Sequence, residues 1–306
     1  MEWQAAISEA GLRIAGHVRR TPVATVRWEA RAVRFKFEQM QHTGSFKARG
    51  AFNTLLQAQV PEAGIVAASG GNHGAAVACA AAALGHRARI YVPRIAGPAK
   101  IALIRGQGAD LQVVPGAYAE AAERAAEWQS ATGAMQVHTY DAPATVAGQG
   151  TVMAEWEDQG LDADTVLIAV GGGGLVAGAL GWLQGRRKVV AVEPETSCAL
   201  HAALAVGAPV DVEVSGIAAN ALGAKRIGDI CFDLAREHGV ESVLVSDIAI
   251  AEAQAALWRE ARQLVEPAGA AALAALISGA YVPAEDERVA VLVCGGNVAP
   301  DPLDSV

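Results

Sequence analysis

Cysteine is scarce in this chain. Its 306 residues include four, Cys79, Cys198, Cys231 and Cys294, with no CxxC pair and no histidine cluster. That spacing excludes a zinc ribbon and a disulfide framework. Free thiols suit a reducing cytosol. Basic residues are also few: 24 Lys and Arg against 32 Asp and Glu leave a net charge of −8. General nucleic-acid binding needs a basic face and is excluded; the acidity reads as solubility. No apolar run reaches the roughly 20 residues that cross a bilayer. Met1-Glu2-Trp3-Gln4 lacks the basic-then-apolar layout of a signal peptide. The expectation is a cytoplasmic protein with no nucleic-acid or membrane partner. Internal repeats, linkers and low-complexity runs are missing too.

What is present is a strand–helix alternation. A first helix runs from Gln4 to Val18, with Ile7, Leu12, Ile14 and Val18 as its apolar positions, and Thr21-Pro22 stops it. Val33 to Phe37 reads as a strand and Ala48 to Gln57 as a helix. From about Gly64, strands and helices alternate: Ile65 to Ala68, Asn72 to Leu84, Arg89 to Val92, Ala99 to Arg105, Leu111 to Val114, Tyr118 to Thr132, then Met135 to His138. A second series has the helix Thr145 to Gln159, the strand Thr165 to Val170, the helix Leu175 to Leu183 and the strand Lys188 to Val192. A helix from Ile248 to Leu264 and a strand from Arg288 to Val293 close it. Such spacing implies parallel sheets covered on both faces. The fold class is α/β with two domains, each a mostly parallel sheet flanked by helices. Residues 64–140 read as a small domain inserted into a larger one made of 1–63 and 141–306.

Four segments carry chemistry. Thr165-Val166-Leu167-Ile168-Ala169-Val170 runs into Gly171-Gly172-Gly173-Gly174. Four glycines in regular structure cost about 2–4 kcal/mol relative to alanine. A flexible linker is not preceded by six apolar strand residues, and GxGxxG fails because position 176 is valine. A strand, glycines, then a helix aim backbone N–H groups at an anion, which points to a phosphate. Lys47 lies in the apolar stretch Thr43-Gly44-Ser45-Phe46-Lys47. Most lysines are solvated, but one that loses its proton in an apolar pocket is a Schiff-base nucleophile. Ser69-Gly70-Gly71-Asn72-His73 sits at a strand-to-helix turn. Asn72 reads either as a helix cap or as part of a loop that grips a substrate carboxylate. Cys294-Gly295-Gly296-Asn297 follows the last strand; a buried cysteine is packing, or a thiol that stays neutral beside a pyridine nitrogen. A phosphate cradle and a reactive lysine are what an aldehyde carrying a phosphate requires.

In their order along the chain these segments resemble the fold-type II pyridoxal-phosphate enzymes, in the threonine/serine dehydratase and serine racemase branch, with a tryptophan synthase β-like fold. Arg20-Thr21-Pro22, Ser45-Phe46-Lys47-Ala48-Arg49-Gly50, Gly71-Asn72-His73-Gly74, Ala147-Gly148-Gln149-Gly150-Thr151, Val192-Glu193-Pro194 and Val265-Glu266-Pro267-Ala268-Gly269 share in the likeness, which covers nearly the whole chain. The resemblance implies that the larger domain binds pyridoxal 5'-phosphate. Lys47 would hold it as a Schiff base and then act as the base for the substrate α-proton. Phe46 would pack on its ring, Asn72 would bond the ring hydroxyl, and Gly171, Gly172, Gly173 and Gly174 would cradle the phosphate. Cys294 would face the ring nitrogen and Glu266 would lie near the ring. Ser69, Gly70, Gly71, Asn72 and His73 would bind the substrate carboxylate. The implied reaction turns L-threonine, L-serine or a related β-hydroxy amino acid into a 2-oxo acid and ammonia. The family's habit also implies a homodimer.

Three departures bear on that expectation. Gly70 stands where racemases of this family carry a second acid/base serine, which argues for elimination over racemisation. Glu193 and the carbonyl of Ser197 match two ligands of the family's divalent-metal site, but Ala199 replaces the aspartate, which argues against a metal. The chain stops soon after the Cys294 motif, so the regulatory domain of biosynthetic threonine dehydratases is not expected. The alternatives are an amino-acid racemase or a β-replacement synthase, and a binding module that kept the fold without the chemistry. Ser215 to Asn220 departs most from the family pattern and is read as the specificity segment.

Overall fold

A computed structural model describes residues 1–28, 31–116 and 118–298. Helix α1 (Trp3–Ile14) leads to the hairpin of β1 (Val23–Trp28) and β2 (Arg31–Phe37), then to α2 (Lys47–Gln57). Next come β3 (Ile65–Ala68), α3 (Asn72–Ala83), β4 (Ala88–Pro93), α4 (Pro98–Arg105), β5 (Asp110–Val114), α5 (Tyr118–Thr132) and β6 (Met135–Gln136). The second series is α6 (Pro143–Asp158), β7 (Thr165–Ala169), α7 (Gly174–Leu183), β8 (Lys188–Pro194), α8 (Ala199–Val206), α9 (Ala219–Leu222), α10 (Asp229–Glu237), β9 (Glu241–Val245), α11 (Asp247–Ala261), α12 (Pro267–Ile277) and β10 (Val289–Val293).

These strands form two sheets. Six lie in the order β1-β2-β10-β7-β8-β9 and four in the order β5-β4-β3-β6. Among these strands only β1 and β2 pair antiparallel; every other pairing is parallel. In the middle of the larger sheet Val291 pairs with Phe35 on one side and Leu167 on the other. Strands β7 and β10 are buried at every position, because a parallel sheet is covered on both faces and cannot alternate apolar with polar. Helix α2 joins the two halves. Its Ala48, Ala51, Phe52 and Leu55 pack with Ile65, Ala76 and Ile90 of the smaller sheet's layer, while its Arg49 reaches Glu155 on α6.

Two helices end earlier than their apolar pattern implies. Extended Ala15 and left-handed Gly16 (φ 82°) stop α1 at Ile14, four residues short of Val18. Left-handed Arg262 (φ 55°) stops α11 at Ala261. Helix α12, which the pattern does not reveal, starts with Pro267 at its first turn and is buried almost all round, so it shows no amphipathic period.

Candidate active site

The loops leaving β2, β3, β7 and β10 converge on one cleft at the carboxyl ends of the strands, where open α/β sheets bind their ligands. It is lined by Phe46, Lys47, Asn72, Ala169, Gly171 to Leu175, Ala221, Leu222, Ala268 and Cys294. Residues that are distant in sequence, 47, 72, 171–174 and 294, are thus brought together. A larger cleft lies at the opposite end of the small sheet, around Arg89, Asp110 and Trp128. Its charges are already engaged: Arg89 bonds Asp110 at 2.6 Å and stacks 3.6 Å from the Trp128 ring centre, and Arg87 donates to the Glu62 carbonyl at 2.6 Å. We assign the chemistry to the smaller cleft, because the reactive groups are there.

Lys47 begins α2 and donates through Nζ to the Thr139 carbonyl at 3.0 Å. Its amine lies 5.1 Å from the Phe46 ring centre. Burial pulls its pKa down to about 8, since a low-dielectric setting penalises the ammonium. Two residues on, Arg49 fixes the same helix. Its Nε and Nη2 grip both oxygens of Glu38 at 2.8 Å, and Nη2 also reaches Glu155 at 2.9 Å. Lys36 adds a bond to Glu155 and one to the Thr21 carbonyl at 2.9 Å. Two cations and two carboxylates therefore balance beneath the start of α2.

Gly172 and Gly174 lie against Tyr140, Gly171 against Leu222 and Gly173 against Cys231. A Cβ on Gly172 would stand 2.2 Å from the Tyr140 ring, and one on Gly171 would stand 3.0 Å from Leu222 Cα. Gly173 takes φ 91°, a conformation that side chains disfavour, and precedes α7 without a side-chain cap. The first N–H groups of α7 have no side-chain partner or acidic residue in the first turn. Such a helix end is an anion site.

Asn72 is held at both ends of its amide. Its Nδ2 donates to Glu266 Oε1 at 2.5 Å, and its Oδ1 accepts from Asn297 Nδ2 at 2.8 Å. Burial raises Glu266 to about 7, eased by Asn72 and by Lys100, itself a buried lysine. Cys294 donates from Sγ to the Ala268 carbonyl at 3.2 Å, and burial pushes its thiol well above the usual range, so it stays protonated. His73 bonds the Val137 carbonyl through Nε2 at 2.9 Å, and burial, then Lys47, bring its pKa down to about 3. Ser69 Oγ accepts from Gly71 N at 3.2 Å, which shapes the loop. Ser69, Gly70, Gly71, His73 and Glu266 are not on the cleft's lining.

A Cβ built on Gly70 would stand 2.5 Å from the Ala96 methyl. The space for a side chain at 70 is therefore taken by the residue following Ile95. At the would-be metal position, Glu193 accepts from the N–H groups of Leu200 and His201 at 2.8 and 2.7 Å, and burial raises it to about 7. Its carboxylate caps the first turn of α8. Among the described residues no group of three or more His, Cys, Asp or Glu is placed to hold a metal.

Sequence reasoning missed Thr139, Tyr140, Ala96, Ala221 and Leu222. The segment read as setting specificity reaches the site through its neighbours: Ala221 and Leu222 line the cleft, and Asn220 O lies 3.4 Å from a Cβ built on Gly71. Strand β6 ends at Gln136 instead of His138, because His138 turns the chain toward the cleft. That polar turn was the available signal.

These residues fit pyridoxal phosphate: an uncapped helix end behind glycines for the phosphate, a desolvated amine for the aldehyde, and a neutral thiol at the far wall. The family described as pyridoxal-phosphate dependent enzyme matches residues 14–295. The L-threonine ammonia-lyase of Thermotoga maritima is 36% identical over 276 residues, 89% of this chain and 68% of that protein. The phenylserine dehydratase of Ralstonia pickettii is 36% identical over 87% of this chain and 83% of its own. The chain covers only 52% of the biosynthetic L-threonine dehydratase of Escherichia coli. Maize serine racemase superposes with a TM-score of 0.92 at 30% identity, over 99% of this chain and 95% of that one. The threonine deaminase of T.th. does so at 0.88 and 34%, over 97% and 99%. With its cleft, its motifs and these relatives in agreement, the chain belongs to the pyridoxal-phosphate dependent enzymes of fold type II.

Proposed function

We propose that the protein is an ammonia-lyase that dehydrates L-threonine, L-serine or a related β-hydroxy amino acid to a 2-oxo acid and ammonia. The observation that carries this reading is the desolvated Lys47 amine, bonded only to a carbonyl, in the same cleft as the glycine loop. When bound, pyridoxal phosphate supplies an electron sink conjugated to the substrate α-carbon. Lys47 would hold the cofactor and, once freed, take the α-proton on Nζ; a pKa of about 8 suits a base near neutral pH. Gly171 to Gly174 and the first turn of α7 would bind the phosphate. Phe46 would pack on the ring, and Asn72, whose Nδ2 has a second hydrogen free of Glu266, would donate to the ring hydroxyl. Cys294, a neutral thiol turned toward Ala268, would leave the ring nitrogen without a charged partner. Of the loop 69–73 only Asn72 lines the cleft; the loop would take the substrate carboxylate on the N–H groups that open α3.

The α-proton and β-hydroxyl leave as water, and a water then hydrolyses the product enamine to 2-oxo acid and ammonia. Racemisation needs a second proton donor on the opposite face. Gly70 has no side chain, and Ala96 fills the space a serine there would need. The same reading takes residues 64–140 as the smaller domain beside the cleft and has the protein acting as a cytoplasmic homodimer. The test is a panel of L-serine, L-threonine and L-phenylserine, scored for 2-oxo acid and ammonia. Equal amounts of the two from at least one member are expected. Silence from all of them, or α-proton exchange with inversion instead, overturns the proposal.

A further inference from the structure

The turn 138–141 touches three parts of the site, and one ring nitrogen shapes it. His138 Nδ1 accepts the N–H of Asp141 at 2.8 Å and that of Tyr140 at 3.3 Å. The His138 ring also meets the Tyr140 ring edge-on, with centres 5.2 Å apart. The Thr139 carbonyl between them receives Lys47 Nζ. The Tyr140 ring covers Gly172, and its hydroxyl donates to the Arg226 carbonyl at 3.2 Å. The Asp141 carboxylate accepts from the N–H groups of Asp229 and Ile230 at 3.1 and 3.0 Å, capping α10. Just before α10, Gly228 N donates to Gly172 O at 3.1 Å.

We propose that His138 is a positioning residue whose Nδ1 lone pair holds the 138–141 turn, and with it the Thr139 carbonyl against Lys47 and the Tyr140 ring against the glycine loop. The arrangement imitates the turn in which an asparagine or aspartate side chain accepts a backbone N–H two residues on. It differs in one respect, because an imidazole accepts at Nδ1 only while that nitrogen is unprotonated. Protonation turns the acceptor into a donor facing two N–H groups. Burial holds His138 below its ordinary value; Asp141 opposes this and Lys47 adds to it. His73, the other imidazole of this corner, is neutral. The turn is therefore formed at neutral pH and loosens in acid, below the ordinary histidine value of about 6.5.

The idea rests on Lys47 being the cofactor lysine, but its test does not depend on turnover. In the apoprotein, amide exchange at Tyr140 and Asp141 is compared for wild type, His138→Ala and His138→Asn, and cofactor affinity is measured by absorbance from pH 5 to 8. In His138→Ala, exchange at those two amides is expected to rise about tenfold and affinity to fall about tenfold, the scale of one or two hydrogen bonds. His138→Asn, which keeps an acceptor that does not titrate, is expected to restore both and to show a smaller loss of affinity in acid than wild type, the remainder belonging to Lys47 and the cofactor phosphate. Unchanged exchange and affinity in His138→Ala overturns the proposal. So does a folded His138→Asn protein that behaves like the alanine variant or loses as much affinity in acid as wild type. If His138→Ala fails to fold, the asparagine variant decides alone. A protein silent toward every substrate whose two amides still respond would lose the ammonia-lyase reading and keep this one.

Discussion

Two lysines, 36 and 47, one buried outright and one partly, both have their ammonium disfavoured by burial and are put to opposite uses. Lys36 is fully buried and is met by Glu155, the Gln159 side chain at 2.7 Å and the Thr21 carbonyl. Burial draws its pKa down while Glu38 and Glu155 hold it up, and Arg49, Glu38 and Glu155 complete a neutral cluster. Lys47 has one carbonyl and no carboxylate bonded to it. The difference lies in the partners, since desolvation alone lowers both. A buried ammonium with a carboxylate is a structural tie, whereas one without it is poised to become a free amine.

Exchanging the two roles by mutation would break this comparison, and it carries the largest expected effects. Lys47→Ala should cost at least about 10³-fold in turnover, within reach of a lost general base and covalent anchor, while changing stability by less than about 1 kcal/mol. Lys36→Met should do the reverse: stability falls by about 3–5 kcal/mol, as when one partner of a buried ion pair is removed, while the enzyme that remains folded keeps its kcat. Urea unfolding and initial rates on the same samples read both. A Lys36→Met protein of wild-type stability would show that the cluster is not the tie its geometry implies.

Proton affinity sharpens the same contrast. With a pKa of about 8, the apoprotein's Lys47 is deprotonated about 10²-fold more often at neutral pH than a free lysine of pKa about 10.4. Capture of pyridoxal phosphate, trapped by borohydride and mapped to residue 47, should speed up about tenfold per pH unit below 8 and level off above it. Lys36 should stay unlabelled throughout. A rate still climbing steeply at pH 10 would mean that the amine is solvated after all.

How much of this was legible beforehand follows the same physics. Lys47, Asn72, the four glycines and Cys294 line one cleft as their motif order implies: Asn72, the glycines and Cys294 follow closely on strands whose apolar runs are easy to read, and Lys47 opens the helix after β2. The alternating series from Ile65 to Gly174 was legible for that reason. Helix α12 was not: buried all round, it has no period to detect, and no strand runs directly into it as β3 runs into α3 and β7 into α7. The partners of the 138–141 turn and the Ala96 methyl at Gly70 were invisible too, although the polar run at 138–141 is itself plain in the sequence. Both are contacts between segments, and neither leaves a spacing in the sequence.

The smallest effect concerns Glu266, the carboxylate nearest to Lys47's side of the contrast: a buried acid whose bonded partner is the neutral amide of Asn72, where Glu155 has Lys36 and Arg49. Burial raises it to about 7 from an ordinary 4.5. Between those values the folded protein binds a proton that the unfolded chain has lost, so stability must fall as pH rises through that window. That shift, from which Asn72 and Lys100 have already taken their part, would be worth about 3 kcal/mol at 1.36 kcal/mol per unit, and most of the decline, about 2–3 kcal/mol, falls between pH 5 and 8. Glu266→Gln keeps an oxygen for Asn72 and removes the titration. Its unfolding free energy should therefore lose that part of the slope and exceed wild type at pH 8. A variant that tracks the wild-type curve across the window would show that Glu266 is already ionised at pH 5, and that the cleft is wetter than its packing implies.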